Sequence, residues 1–381
     1  MKEFSFKTRI FFASNALERL RKVHDKKVMI ITDRFISGIG LPAKISSYFT
    51  NCETSVFDGV VPNPPIEVIA EGVKALQQSE AEVIVAVGGG STIDAAKAIR
   101  AVAKDALKTE NIKKLECFAV PTTSGTGSEV TDYAVITNQQ EGIKYPLASR
   151  TLEPPIAVLD PSLTVSVPSA VTADTGVDAL THALEAYIST GSCDFSDAFC
   201  EKAITMIFKY LPTAFADGKN ILARGKMQVA SCMAGLAFNT AGLGVNHGMA
   251  HAIGAKLHLS HGRSNAILLP YVMNFNADLA NAKGGKYSLT AQKLSHVARI
   301  LGLPSSNVRE GVVSLITAIV RLNVTLKIPT TLKEQGIEPA KLEELRKDIV
   351  AAALADATTA TNPRPVTAEQ IDALLTQAMG V

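Results

Sequence analysis

The stretch Glu82–Lys104, EVIVAVGGGSTIDAAKAIRAVAK, decides the fold. Its first six residues, Glu82–Val87, are almost wholly apolar and rich in β-branched side chains, the pattern of a strand buried on both faces. They run straight into Gly88-Gly89-Gly90-Ser91, after which Thr92–Lys104 carries apolar residues at helical spacing. The same alternation repeats outward. Lys27–Thr32 (KVMIIT) ends at Asp33, Leu115–Val120 (LECFAV) precedes Pro121, and Ile156–Leu159 (IAVL) precedes Asp160-Pro161. Ile66–Gln78 reads as a helix between two such runs. Strands that alternate with helices predict a parallel sheet covered on both faces.

Beyond Pro161 the period changes. Ala173–Ile188, Ala198–Phe215, Arg224–Ala241, Ser264–Leu279, Leu289–Leu301, Val308–Leu322, Pro339–Ala357 and Thr367–Met379 all carry apolar residues three and four apart. A chain of 381 residues is long enough for two domains. The expectation is an α/β Rossmann-like parallel-sheet domain over residues 1–163 and an all-α domain over 164–381.

Composition removes several classes. With 38 basic and 36 acidic side chains the formal charge is +2, which gives no basic field for nucleic acid. Five scattered cysteines without a C-x-x-C pair form neither a disulfide framework nor a cysteine zinc site. The opening MKEFSFKTRI lacks the apolar core of a secretory signal, and no run approaches a membrane span. A cytoplasmic protein is expected.

Two loops at strand ends suit a dinucleotide. In the first, glycines let the backbone approach a phosphate, and the amides at the helix start supply donors. Ser91 is expected to cap that helix and offer its hydroxyl. The G-x-G-x-x-G pattern is absent, and a bare strand-to-helix turn would read the same. The second loop, Pro121–Glu129 (PTTSGTGSE), packs hydroxyls and glycines after the next strand. Asp33 closes the first strand, where it could accept from a ribose 2′-hydroxyl and repel a 2′-phosphate, favouring NAD over NADP.

Histidines are unevenly spread: of seven, four fall within His247–His261. Asp178 and His182 stand four apart in a helical pattern, so both leave one face. The pair could chelate a divalent metal or simply hydrogen-bond along the helix. His247 and His251 are also four apart, but Gly248 follows His247, so the H-E-x-x-H peptidase pattern and its general base are missing. Carboxylate and imidazole donors suit Fe(II) or Zn(II). Spacing leaves open which two of the four histidines coordinate.

With these residues assembled, the sequence resembles the iron-containing (group III) alcohol dehydrogenases, whose fold is shared with dehydroquinate synthase. The motifs that carry the likeness are VPNPP from Val61, GGGSTIDAAKA from Gly88 and PTTSGTGSEVT from Pro121. DALTHALEAY from Asp178, NHGMAHAIGAKLHLSHG from Asn246 and TNPRP from Thr361 complete the set. Within the family, GIKYPL at Gly142–Leu147 and RGKMQVAS at Arg224 resemble the propanol dehydrogenases of propanediol-utilisation microcompartments. The resemblance implies Asp178, His182, His247 and His261 as ligands of Fe(2+), with Zn(2+) the alternative. It places His251 beside the nicotinamide of NAD(H), where an imidazole could relay a proton or serve only to orient cofactor or ligand by a hydrogen bond, and leaves His258 solvated or capping. Asn63, Gly89, Gly90, Ser91, Asp94, Thr122, Thr123, Thr126, Thr131 and Lys144 are implied at the dinucleotide, with Lys97 nearby. Tyr133, Phe238 and Thr358 are implied in the substrate pocket. The implied reaction interconverts short primary alcohols and aldehydes, in a homo-oligomer that is a dimer or larger and is associated with microcompartment enzymes or shell. Three other readings stand beside it: a metal- and NAD-dependent lyase of dehydroquinate synthase type, a polyol dehydrogenase, and a non-enzymatic nucleotide-binding scaffold or microcompartment interaction module. The lyase needs a basic pocket for an acidic sugar, and Arg224, Lys226, Lys256 and Arg263 are too scattered to supply one.

Overall fold

Strands β2 (Lys27–Asp33) and β4 (Val83–Gly88) lie side by side and parallel, in register from Val28 opposite Val83 to Ile31 opposite Ala86. The computed structural model describes residues 3–107, 112, 114–139, 143–282 and 284–380. They divide into two compact units, Met1–Val167 and Pro168–Val381.

In the first unit β2 and β4 form the middle of a six-stranded sheet of order β1-β8-β5-β4-β2-β3. Every pairing in it is parallel. β4 is buried throughout, which its unbroken apolar sequence requires. β5 (Glu116–Pro121) and β8 (Ile156–Leu159) continue the sheet on one side. The two edge strands, β1 (Arg9–Phe12) and β3 (Glu53–Val60), are absent from the sequence reading. Both keep part of their side chains in solvent, so neither shows the continuous apolar run that marks the interior strands. A two-stranded antiparallel hairpin, β6 (Tyr133–Asn138) with β7 (Ile143–Ala148), stands apart and is likewise absent from that reading.

Chain order within the sheet locates its ligand end. From β2 the chain moves outward to β3, and from β4 it moves the opposite way to β5. The loops that leave β2 and β4 therefore flank the switch point where parallel sheets bind ligands. After the short helices α1 (Arg34–Gly38) and α2 (Leu41–Ser46), helix α3 (Ile66–Ser79) leads into β4, and helix α4 (Gly90–Ala106) leaves it. The capping expected of Ser91 is not found. The N-cap of α4 is Gly89, in an extended conformation, and Ser91 is already the second helical residue. Among the described residues no side chain caps this helix, so the amides of Gly90 and Ser91 are left as donors at its positive end.

The second unit is helical. Its core lies on α5 (Ser169–Ile188), whose residues from Gly176 to Ile188 are all buried. Around it lie α6 (Asp194–Ala216) and α7 (Ile221–Ala241), then α8 (Val245–Leu257) and α9 (His261–Ala277). A later group comprises α10 (Leu289–Ile300), α11 (Val308–Thr325), α12 (Pro339–Ala355) and α13 (Ala368–Met379). α8 is missing from the periodic segments: eight of its first nine residues are buried, polar Asn246 and His247 among them, so it shows no amphipathic stripe. His258 ends it in a left-handed conformation as the C-cap. α9 starts at His261, three residues before the periodic pattern begins.

Candidate metal centre and nucleotide loops

Three helices of the second unit bring one carboxylate and three imidazoles together. Asp178 and His182 come from α5, one turn apart. His247 comes from the first turn of α8, and His261 is the first residue of α9. One ligand atom from each lies within 4.8 Å of the other three. Asp178 Oδ1 is 3.3 Å from His261 Nε2 and 3.9 Å from His247 Nε2, and Asp178 Oδ2 is 4.0 Å from His182 Nδ1. The side chains of Asp178, His182 and His247 are 3%, 6% and 1% exposed, whereas His261 is 39% exposed, so the cluster opens to solvent on the His261 side. His182 stacks on His247 at 4.6 Å and, on its other flank, on Phe238 at the same distance.

Residues outside the predicted set orient these donors. Glu185 continues the face of α5 that carries Asp178 and His182, three residues past the histidine. Its Oε2 meets His247 Nδ1 at 2.6 Å, and its Oε1 accepts from the Asn246 backbone amide at 2.7 Å. Burial pushes the Glu185 carboxyl up to about 8 against the pull of the amides of Asn246, His247 and Gly244. Burial also pushes His247 well below its ordinary value, helped by the imidazoles of His182, His261 and His251. With its hydrogen on Nδ1, donated to Glu185 Oε2, the His247 ring keeps its Nε2 lone pair for a ligand. Asn265, four residues after His261, aims its Nδ2 at Asp178 Oδ1 (2.8 Å), His261 Nε2 (3.1 Å) and His247 Nε2 (3.2 Å). The Asn246 side chain fixes its other end by donating to Oδ1 at 2.9 Å. Lone pairs of three of the four donors thus converge on one point.

His251, one turn after His247, stacks on His261 at 5.2 Å. Its Nδ1 lies 2.8 Å from Asp356 Oδ2. Asp356 Oδ1 receives both the amide and the hydroxyl of Thr358, at 2.9 and 2.7 Å. Burial pushes the Asp356 carboxyl up, but the bonds from His251 and Thr358 outweigh it and hold the group at about 2. Of the predicted pocket residues, Phe238 lies against the cluster through His182, and Thr358 is engaged by Asp356. Tyr133 belongs to the first unit, on β6, with its ring partly exposed.

In the first unit the two loops face each other. Gly88 pairs with Pro121 at the ends of β4 and β5, and the Thr122 amide donates to the Gly88 carbonyl at 2.9 Å. A Cβ on Gly89 would touch Thr123 at 3.5 Å, and one on Gly90 would collide with Thr126 at 2.7 Å. Thr32 ties β2 to the same end by donating to the Val87 carbonyl at 2.8 Å. Asp33 caps α1 (Arg34–Gly38) by accepting from the Ile36 amide through Oδ1. Asn63 adopts the left-handed conformation in the loop before α3. Asp94, Lys97 and Thr131 form a different group. Asp94 accepts from the Ser128 hydroxyl and, at 3.0 Å, from the Val135 amide. The fully buried Lys97 donates to Thr131 Oγ1 at 3.0 Å and to the Tyr133 carbonyl at 2.7 Å. Gly142 and the side chain of Lys144 lie outside the described residues.

A family model described as iron-containing alcohol dehydrogenase matches residues 7–161, and one for the C-terminal part of the Fe-containing alcohol dehydrogenase family matches residues 172–379. The chain belongs to the iron-containing alcohol dehydrogenase family. The 1-propanol dehydrogenase PduQ of Citrobacter freundii is 40% identical to it, each chain being covered over its full length. The NADPH-dependent butanol dehydrogenase of Clostridium saccharobutylicum is 37% identical over 97% of this chain and 96% of its own. Among solved structures, a 1,3-propanediol oxidoreductase superposes with a TM-score of 0.87 at 32% identity, over 99% of this chain and 100% of the other. As a member of that family, the chain is an alcohol dehydrogenase. No helix among the described residues is long and apolar enough to cross a membrane.

The family's metal can be tested against this donor set. Three imidazole nitrogens and a carboxylate oxygen, mostly buried, repel one another unless a cation or protons lie among them. Protons are disfavoured at His247, because burial and three neighbouring imidazoles depress its basicity. An N₃O set of neutral imidazoles and one carboxylate is suited to divalent iron or zinc. The iron of this dehydrogenase family fits.

Proposed function

We propose that this enzyme interconverts short primary alcohols and aldehydes, with 1-propanol and propionaldehyde as the reference pair, using NAD(H) and a divalent iron. The observation that carries the reading is the convergence of Asp178, His182, His247 and His261 within 4.8 Å, with His251 stacked beside them.

Those four residues would hold the iron. Three neutral imidazoles and one carboxylate leave a divalent ion with a net charge of +1, a Lewis acid that stabilises an alkoxide or polarises a carbonyl. Phe238 gives the substrate an apolar wall against His182 and favours a short, uncharged alcohol. His251 takes up the proton released as the alcohol O–H bond breaks, and returns it when an aldehyde is reduced.

The dinucleotide is assigned to the loop end of the first unit's sheet. Uncapped amides at Gly90 and Ser91 suit its pyrophosphate, as do the hydroxyls of Thr122, Thr123 and Thr126, with Gly89 keeping the approach open. Asn63 shapes the adjoining loop. Asp33, at the switch point after β2, has Oδ2 to offer a ribose hydroxyl while Oδ1 caps α1. Asp94 and Thr131 act at one remove, since their hydrogen bonds fix the hairpin and the Ser128 turn. Lys144 is assigned to the dinucleotide on the family resemblance alone. NAD rather than NADP rests on Asp33, since the relatives include an enzyme named for NADPH. A homo-oligomeric state and a place in or beside a bacterial microcompartment complete the proposal, on the strength of the likeness to the propanol dehydrogenase.

Anaerobic purification with metal analysis, followed by NADH oxidation across an aldehyde panel, tests the reading. The expected result is about one iron per chain and turnover of propionaldehyde above that of charged or polyol carbonyls. Full metal retention in His261→Ala, or turnover independent of metal, would overturn the ligand assignment. Size-exclusion chromatography and co-fractionation with shell proteins test the assembly.

A further inference from the structure

We propose that Asp356 is a positioning residue for the alcohol dehydrogenase reaction: it holds the His251 ring with hydrogen on Nδ1, so that the Nε2 lone pair is the proton acceptor. The proposal rests on His251 being the proton relay.

The geometry leaves little choice of tautomer. An ionised carboxylate can only accept hydrogen bonds, so the 2.8 Å contact with Oδ2 requires Nδ1 to be the donor. Three hydrogen bonds aimed at the Asp356 carboxylate, from His251 and twice from Thr358, favour its ionised form. The two oxygens divide the contacts, Oδ2 taking His251 while Oδ1 takes Thr358 twice. A neutral imidazole with its hydrogen on Nδ1 has its only lone pair on Nε2. When that nitrogen takes the proton of the alcohol hydroxyl, the O–H bond breaks and an N–H bond forms. The carboxylate then faces a full imidazolium, which it stabilises without itself accepting the proton.

The segment that carries Asp356 is fixed from several sides. Asp356 caps a short 3-10 helix, Ala357–Thr361. Thr359 donates to the Ala353 carbonyl at 2.7 Å, and Thr361 donates to the Leu243 carbonyl at 2.8 Å, just before α8. Gly248 lets this segment lie against the histidine helix. A Cβ there would sit 2.2 Å from Thr359 Oγ1, 3.0 Å from the Ala353 carbonyl oxygen and 3.4 Å from Asp356 Cβ. The residue that removes a peptidase base from the motif is thus the one that admits Asp356 to His251. Asp356 is 105 residues from His251 in the chain yet bonds directly to its ring. Its effect on catalysis would pass through that ring.

The experiment is a double-mutant cycle on the iron-loaded enzyme with Asp356→Asn, His251→Gln and the pair, reading kcat, KM, metal content and thermal midpoint. Asparagine keeps the size and an oxygen for capping Thr358 but can present an amide donor to the ring, which favours the wrong tautomer. Asp356→Asn is expected to lower kcat by about 10- to 100-fold with KM and metal content little changed, the range seen for outer-shell partners. In the His251→Gln background the same change is expected to cost less than about 3-fold, because its target is gone. Equal losses in both backgrounds would overturn the proposal while leaving His251 as the relay. A normal kcat in Asp356→Asn beside an impaired His251→Gln would do the same. A normal kcat in His251→Gln would overturn the relay reading itself. Asp356→Glu provides a second folded variant and should recover part of the lost kcat.

Discussion

Gly262→Ala is the sharpest test of how the fold sets the candidate metal centre. Gly262 directly follows His261, and a Cβ there would lie 2.4 Å from the backbone carbonyl oxygen of Asp174 on α5. Ordinary contact begins near 3.4 Å, so the start of α9 must retreat by about 1 Å. A flexible side chain could rotate away, but a carbonyl inside a helix cannot. Asp174 also grips α9 through the Ser260 hydroxyl (3.0 Å) and Arg263 Nε (2.7 Å), so the retreat stretches both bonds. Forced overpacking of this kind costs about 1–3 kcal/mol. Metal–ligand distances tolerate only about 0.2 Å, so His261 is carried out of reach of a common ion. The expected outcome is a metal affinity about 10- to 100-fold weaker, measured by chelator competition, with a lower thermal midpoint in the apo form. Gly38→Ala, where a new Cβ meets nothing within 4 Å, serves as the control. Unchanged metal affinity in Gly262→Ala would refute the idea that this contact sets the position of His261.

Three further outcomes are expected. Glu185→Gln should weaken metal binding by about 10- to 100-fold at near-normal size, since an amide has one accepting oxygen where Glu185 uses two, for the Asn246 amide and for His247 Nδ1; an unaltered affinity would show that the carboxylate does not orient the ring. Asp356 is held at about 2 in the fold against an ordinary 3.8, so its ion contributes stability that is present above about pH 4 and lost as pH falls towards 2. That contribution is about 2 kcal/mol, with about half gone by pH 3; the stability gap between wild type and Asp356→Asn in urea should therefore narrow from pH 6 to pH 3, and a constant gap would contradict it. Asp33→Ser keeps a cap for the Ile36 amide while removing the charge, so kcat/KM for NADPH relative to NADH should rise by about 10-fold; a fixed ratio would sink the electrostatic account of NAD preference.

The parts of the fold that are legible in the sequence are those whose burial is uniform. β4 and the runs at Lys27 and Ile156 are apolar because both faces are covered, and the helices α10 and α11 show their period because one face is wet. Where exposure is mixed or burial is all round, the pattern fails. Edge strands β1 and β3 are examples of the first, and the histidine helix α8 of the second. The site shows a parallel division. The spacing of Asp178 from His182, and of His247 from His251, follows from one helical turn and can be read directly. Glu185 and Asn265 carry the same kind of signal, lying three and four residues beyond His182 and His261 on shared helix faces, but neither residue type draws attention beside histidine. Asp356 carries none, since nothing local links it to a ring 105 residues away.

The second unit contains the doublet His-Gly twice, at His247-Gly248 and His261-Gly262. In each, the histidine supplies a ring to the cluster and the glycine admits a polar backbone or side-chain group of another element. At Gly248 that element is the segment bearing Asp356, and at Gly262 it is the Asp174 turn of α5. A helix presents neighbouring residues on different sides, so a ring and a bare backbone at adjacent positions point in different directions. The ring faces the ligands while the missing Cβ faces the support. Close packing permits that support to fix the helix axis to a fraction of an ångström, which a coordination sphere needs and a larger side chain would prevent. On this reasoning the two glycines, together with the histidine spacing, would hold the proposed ligands in place. Replacing either glycine should therefore damage metal binding more than an alanine at the exposed flank of the same helices.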